Sequence, residues 1–388
     1  MFRSKSMPKA IGALALVALS MVALSGCATT AGTPAASKPA DSKSAAEFTA
    51  KIGADITELS KPNLAPAPAS GPAAVSGKTI AVLPVTLADA SAKRASNTVV
   101  EASTAIGWKA TIYDTHVSAT EANEKLLQAV TTKVDGIVLV GLDPQNIGSG
   151  LAAAKAAGIP VSCIACWGQD DADTKSKFLS VAPSEQVLTD LGRVSAEYAY
   201  QYTKGHPKFL AMNDTSLTNL KFRQNGFDKF VADCTSAGAD CRVLANQNFQ
   251  YANTFTTLPA QAASLAQAHP GFNAFWAGFD VAAPPIISGL TQAGLTSSGS
   301  FLVGSQGDGA SEKLIASGGY QKATVAISWE WAAYGIIDNF NRQFSKGKPI
   351  DVTVPIRLFD KSNIAEAKDG TWDGDVDFRA AFKKIWNG

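Results

Sequence analysis

Between Lys133 and Val161 the chain reads KVDGIVLVGLDPQNIGSGLAAAKAAGIPV. Gly136–Gly141 is a short apolar run, dense in β-branched residues, that stops at Asp143-Pro144. An Ala-rich run follows and ends at Gly158, and a second apolar run opens at Ile159-Pro160. The pattern predicts strand, helix, strand, with Gly just past the helix and Pro opening the next strand. A helical crossover of this kind joins parallel strands, which hairpin turns cannot do. In open parallel sheets ligands sit beyond the carboxyl ends of the strands. This stretch therefore predicts an α/β fold and points to where a site should lie.

The same alternation runs through most of the chain. Strands are expected at Thr79–Leu87, Trp108–Asp114 and Phe178–Val181, with helices at Ala90–Ile106 and Ala119–Lys133. A long helix, Pro183–Thr203, carries Leu188, Leu191, Val194, Tyr198 and Tyr202 at helical spacing. The alternation then restarts at Lys208–Met212 and continues to a helix at Trp331–Lys346, with an extended run at Val352–Leu358 and a last helix at Asp377–Trp386. A chain of 388 residues, 46% hydrophobic, has the material for two cores. The pattern fits two successive doubly wound modules better than one very wide sheet. The net charge of +1 gives no electrostatic case for nucleic acid as a partner.

The first residues speak to location. Arg3, Lys5 and Lys9 form a basic segment, and Ile11–Leu24 is apolar but too short for an ordinary membrane anchor. Leu24-Ser25-Gly26-Cys27 resembles the bacterial lipobox, which implies that residues 1–26 are a lipoprotein signal peptide and that Cys27 carries the lipid. Two or more acyl chains would hold the protein at a membrane. Residues 27–77, rich in Ala, Pro and Ser, read as a flexible tether. Within it Ser44-Ala-Ala-Glu47 fits a capping box, and Phe48, Ile52, Ile56 and Leu59 share one helical face. A short helix at about 45–59 is expected, docked on the body or on a partner, or only partly formed. Outside the cytoplasm disulfides persist. Cys234 and Cys241 bracket a short polar turn and are expected to pair. Cys163 and Cys166 on an extended strand would stand roughly 10 Å apart, too far to bridge unless the chain turns between them.

The order of elements, with VDGIVL…DP…AAKAAGIPV, resembles the sugar-type (ribose-binding-like) periplasmic binding proteins of type I, the substrate-binding components of ABC importers. Thr79–Thr86 (TIAVLPVT) resembles the family's first strand, and Arg223-Gln-Asn-Gly226-Phe227 its Arg-x-x-Gly-Phe. Phe301–Leu314, Ala323-Thr-Val-Ala326 and Val354–Ile364 (VPIRLFDKSNI) match later patches, so the resemblance runs from about Lys78 to Asn363. It implies two Rossmann-like lobes joined by a three-crossing hinge, with a small-molecule ligand in the cleft and hinge closure on binding. One lobe would comprise 78–182 plus 329–358 and the other 183–328 plus 359–388, the crossings falling near Ala182-Pro183, Ser328 and Leu358. It further implies an ABC permease as partner, an extracytoplasmic location and a monomer.

The site departs from the family's usual residues. Where sugar binders often carry Asn-Pro-Phe-Phe after the first strand, this chain has Asp89-Ala-Ser-Ala92, just past Thr86. Their Asp-Arg after the fourth strand becomes Ala165-Cys166, followed by Trp167. The mid-chain arginine is kept as Arg223. Asn-Asp becomes Phe279-Asp280, Gly-x-Asp becomes Gly304-Ser305-Gln306 with Asp308 close by, and Trp329 follows the last hinge. The expected ligand-binding set is Thr86, Asp89, Trp167, Arg223, Phe279, Asp280, Gln306, Asp308 and Trp329. Charged hydrogen-bonders have given way to rings, so the expected ligand is less hydroxylated than a pentose or hexose: aromatic or cyclic, stacked among Trp167, Phe279 and Trp329, with Arg223 facing any carboxylate. A true sugar remains the alternative, since Trp faces also stack on sugar rings. A sensor that presents its ligand to a membrane receptor is a further one.

No enzyme, cofactor or metal is expected. GxSxG, P-loop and HExxH motifs are absent, and the three histidines, His116, His206 and His269, are far apart in sequence. Cys163-Ile-Ala-Cys166 follows a strand and is the one redox-like signal. The export signal, and the lack of a helix-turn-helix ahead of Lys78, argue against DNA binding.

Overall fold

The computed structural model describes residues 42–296, 299–367 and 371–388. Residues 1–26, expected to be a signal peptide, and Cys27 lie outside the described residues. The first sheet is built from β1 (Thr79–Pro84), β2 (Lys109–Ile112), β3 (Gly136–Val140), β4 (Val161–Ile164) and β5 (Val181–Ala182) in the order β2-β1-β3-β4-β5, every pair parallel. The central strands are buried on both faces, which is why they read as unbroken apolar runs. The crossovers are α2 (Ala90–Ala105), α3 (Ala119–Thr131), α4 (Gly148–Ala156) and α5 (Asp171–Lys177). Asp89 caps α2 and Ser118 caps α3 through their side chains, each accepting from the backbone N–H three residues on.

The second sheet repeats this plan. From β6 (Lys208–Asn213), β7 (Arg242–Asn248), β8 (Ala274–Ala277), β9 (Phe301–Gln306), β10 (Gln321–Ile327) and β11 (Ile356–Asp360) it takes the order β11-β10-β9-β8-β6-β7. Only β11 runs antiparallel. Its helices are α6 (Glu185–Tyr202), α7 (Thr218–Ser236), α8 (Leu258–Ala268), α9 (Ala283–Gln292) and α10 (Gly309–Ala316). Helices α6 and α7 touch backbone to backbone. A Cβ on Gly226 would collide with the Thr189 carbonyl and one on Gly192 with that of Arg223. Only glycine permits this approach, which gives the glycine of Arg-x-x-Gly-Phe a physical reason.

The chain leaves the first sheet after β5 (Val181–Ala182), and β10 of the second sheet ends at Ile327. After β10, α11 (Trp329–Phe344) returns to the first lobe and packs on α2, β4 and β5. The third passage lies earlier than the expected Leu358, because Ile356–Asp360 is already paired with β10. The tail also departs from expectation. Trp372 packs on Phe359 of the second lobe, whereas α12 (Phe378–Asn387) lies on α11, with Trp386 stacked on Tyr334 at 5.6 Å. Residues 359–388 therefore do not all belong to the second lobe.

Residues 42–77 are not a loose tether. Helix α1 (Ser42–Leu59) begins two residues before Ser44, so Ser44 lies inside the helix and does not cap it. Ile52 and Ile56 are buried, Phe48 meets Tyr200 and Phe230 at 5.5 and 6.0 Å, and Thr49 Oγ1 and Tyr200 OH are 2.8 Å apart. Burying two isoleucines stabilises the docked helix by roughly 1.5–3 kcal/mol each. The following residues run across to the first lobe.

Candidate functional site

The carboxyl ends of both sheets face each other across a cleft, and the lobes are closed on it. Tyr251 OH donates to Asp89 Oδ2 at 2.7 Å, Ser91 Oγ to Asp308 Oδ1 at 2.5 Å, and Arg94 Nη1 to the Gly307 carbonyl at 2.7 Å. Thr218 Oγ1 meets Asp143 Oδ2 at 3.1 Å, and the rings of Trp167 and Phe222 sit edge to face at 5.6 Å. Each contact joins one lobe to the other.

The cavity enclosed between them is small, about 50 Å³. Its walls are mainly apolar: Val85, Ala92, Ala95, Val140 and Ile164 from the first lobe, Leu217 and Leu220 from the second, with Tyr251, Phe279 and Trp329 as rings. Phe279 is stacked on Phe249 at 5.9 Å and tilted against Tyr251 at 5.7 Å, so the second-lobe rings form one fixed surface. Trp329 Nε1 donates to Ser91 Oγ at 3.1 Å, which fixes the indole.

The polar groups of the wall are few: Asp89, Ser91, Asn219, Arg223 and Gln306 beside the Tyr251 hydroxyl. Arg223 is 1% exposed. Its Nη1 donates to Gln306 Oε1 at 2.5 Å and more weakly to the Gly278 carbonyl and Ser305, while its Nε has no partner. Burial pushes the guanidinium down to about 10, against the opposing pull of Asp280, Asp308 and Asp89, so it stays a cation at neutral pH. Two non-glycine residues of the wall hold left-handed or strained backbone, Ala165 (φ 58°) and Gln306 (φ 128°). Such conformations cost about 1–3 kcal/mol each and gather at ligand sites.

The structure redistributes the expected set. Asp89, Arg223, Phe279, Gln306 and Trp329 all line the space. Trp167 does not; its ring is spent on Phe222 and its Nε1 is buried without a partner. Thr86 Oγ1 accepts from Ala88 N and stays outside the wall. Asp280 is fully used in holding the loop beyond β9, accepting from Gly307 N, Asp308 N, Thr324 Oγ1 and Gln321 Nε2. It shapes the cleft without lining it. Asp308 bonds Ser91 across the lobe boundary. Tyr251, Ser91, Asn219 and Leu217 escape the sequence reading; for Tyr251 the available signal is an aromatic residue three positions past the end of β7.

Cys163 and Cys166 are bonded, their Cα atoms 5.6 Å apart, because the chain turns at Ala165. Cys234 and Cys241 are joined as expected, with Cα atoms 6.2 Å apart. Among the described residues no group of three or more His, Cys, Asp or Glu is arranged to hold a metal.

Asp308 gives the closed form a pH dependence. Burial first, then Asp89 and Asp280, push its carboxyl up to about 7; Arg94, 3.9 Å away, and the Ser91 bond pull it down. Burial likewise takes Glu312 to about 7. An unfolded aspartate titrates near 3.9, so between about 4 and 7 the folded protein binds the extra proton. This contribution to stability is fully present below about 4 and is lost as pH rises through about 7. Asp308→Asn should therefore flatten the fall in melting temperature between about pH 5 and pH 7. An unchanged slope would remove Asp308 from the account.

A family model described as "Periplasmic binding protein domain" matches residues 80–349. The chain belongs to that family. It is a periplasmic binding protein of type I and of the sugar type, whose members serve ABC transporters as solute-binding proteins. Solved structures agree on the fold. A solute-binding protein from Actinobacillus succinogenes 130z with bound D-allose superposes with a TM-score of 0.66 at 17% identity, covering 74% of this chain and 99% of that one. The arabinose-transporter component from Shewanella sp. ANA-3, bound to L-arabinofuranose, gives 0.65 at 19% identity, with 79% and 98% covered. A Bacillus halodurans C-125 protein with bound myo-inositol gives 0.62 at 15% identity, with 76% and 98% covered. Among curated protein sequences none matches this chain at a significant level. Periplasmic binding proteins of this type capture small molecules for a permease, and the relatives named here hold sugars and polyols.

Proposed function

We propose that the chain is an extracytoplasmic substrate-binding lipoprotein of an ABC importer, and that its ligand is a compact cyclic or aromatic molecule carrying one acceptor group, such as a carboxylate. One observation carries the ligand class: a wall of rings and aliphatic side chains surrounds a single buried arginine whose Nε has no protein partner. A polyol needs donors and acceptors on several sides. Here Ser91 is already engaged by Asp308 and Trp329, and Asp89 by Tyr251 and the first turn of α2. A planar acceptor facing Arg223, with its ring between Trp329 and the Phe279–Tyr251 surface, uses what is left.

Calorimetry against a panel of pentoses, hexoses and cyclitols and a panel of aromatic and alicyclic acids tests the reading. Micromolar affinity requires only about −8 kcal/mol, within reach of stacked rings and one charged pair. Binding is expected in the acid panel and should weaken about tenfold or more in Trp329→Ala. Micromolar binding of a simple pentose that survives Trp329→Ala would favour the sugar reading, which the bound ligands of the relatives support.

The lipobox-like run supports lipidation at Cys27. Cys27→Ala should move the protein from the membrane fraction to the soluble one. Membrane retention by the alanine variant would refute lipidation there.

A further inference from the structure

Residues 42–77 precede the stretch that matches the family, 80–349, and the tail from Thr371 onward lies beyond it. Both meet at the hinge. Arg357 of β11 is 1% exposed and sits at the knot. Its Nε donates to the Ser60 carbonyl at 3.1 Å, its Nη1 to Asp375 at 2.8 Å and its Nη2 to Glu366. Asp375 also accepts from Asn63 N at 2.7 Å and Trp372 Nε1 at 3.1 Å. One arginine and one carboxylate thus bind the N-terminal segment, the second-lobe sheet and the tail together.

From this knot the N-terminal segment crosses to the first lobe. Asn341 Nδ2 of α11 donates to the Pro72 and Ala73 carbonyls, and its Oδ1 accepts from Val75 N. Arg342 Nη2 donates to the Ser70 carbonyl at 2.6 Å, and Trp108 Nε1 to that of Val75 at 2.5 Å. On the other side α1 is seated on the second lobe through Ile52, Ile56 and Phe48. Between the two anchorages runs Leu64-Ala-Pro-Ala-Pro-Ala69, with no regular structure. Prolines at alternate positions hold such a run near the polyproline II form, about 3.1 Å per residue against a maximum of about 3.3–3.6 Å. A run of this length has only a few ångströms to give.

We propose that residues 42–77 are an inextensible strap that limits how far the lobes open, so that the ligand-free protein stays closed or nearly so. Opening requires the second lobe, with β11 and α1, to rotate away from α11 and α12. The strap is fastened to both bodies and cannot lengthen, and the Arg357–Asp375 knot keeps its second-lobe end beside the hinge. The three passages of the family hinge are thereby joined by two more, the strap and the tail. The inference concerns the hinge alone and stands whichever ligand the cleft takes.

The test is an interlobe distance distribution on the full ligand-free protein, spin-labelled at Gln128→Cys on α3 and Thr291→Cys on α9. Six Gly/Ser residues inserted between Leu64 and Ala65 add slack without altering either anchorage. The parent should show one narrow distribution, and the slackened protein should gain a second population at longer distance. In a companion variant a protease site at the same position is cut after folding, which severs the strap in a folded molecule; the same second population should follow. Identical distributions in parent, slackened and cut protein would overturn the proposal. So would a parent that already opens as widely as the slackened form.

Discussion

Arg223→Met should abolish measurable ligand binding while leaving a folded protein. The guanidinium is enclosed, and among the described residues of the cavity wall its charge is the only positive one. Losing one partner of a buried charged contact costs roughly 2–5 kcal/mol. At about 1.4 kcal/mol per tenfold, affinity falls by at least about thirty-fold, which carries a micromolar ligand out of range of most titrations. Methionine is of similar length, and the contact with α6 at Gly192 is made by the Arg223 backbone, so that packing survives. Arg223→Lys makes the sharper comparison. It keeps the charge but lacks the planar fork that reaches Gln306 and the cleft together, so it should restore part of the affinity only. Binding that is unchanged in Arg223→Met, at an unchanged melting temperature, would show that Arg223 merely props Gln306.

Arg357→Met should be the most destabilising substitution at the hinge. It leaves the Asp375 carboxylate, 12% exposed, without its cation, and deprives the Ser60 carbonyl of a donor. Breaking a buried pair in this way costs about 3–5 kcal/mol. For a protein of this size that lowers the melting temperature on the order of 10 °C. Glu366 is half-exposed, so Glu366→Gln should cost far less. A drop of only a degree or two in Arg357→Met would mean that the strap and tail are held by apolar contacts and that the knot is incidental.

Much of this architecture can be read from the sequence because parallel strands buried on both faces must be apolar throughout, and helices with one buried face must repeat at 3.6 residues. Gly136–Val140 and α4 could hardly be anything else. The omissions have physical causes. Helix α5, Asp171–Lys177, is short and polar and buries only Thr174, so it carries no periodic signal. The third passage falls earlier than the sequence suggests because β11 enters the sheet antiparallel, and an edge strand looks the same in sequence whichever lobe it joins. The site is half legible. Strand ends locate Phe279 and Gln306, and the Arg-x-x-Gly-Phe run locates Arg223 within α7, but which of two neighbouring side chains faces the cleft depends on local backbone. The turn at Ala165 (φ 58°) both bonds Cys163 to Cys166 and directs Trp167 onto Phe222 rather than into the space. An alanine gives no warning of that conformation. Asp280 stands where the family keeps a ligand-binding group, yet four donors within the protein claim it.

The bond between Asn63 and Asp375 joins residues 312 positions apart. Most contacts in α/β lobes form between neighbouring elements and can be made as the chain arrives. This one cannot. Helix α1 has no seat until Tyr200 and Phe230 have been made and packed, and the segment after it has no knot until Trp372 and Asp375 follow. Residues 42–77 thus emerge ahead of both lobes and settle after them. Both lobes can assemble with their hinge still free, and it is fastened only when Asn63 and Asp375 meet.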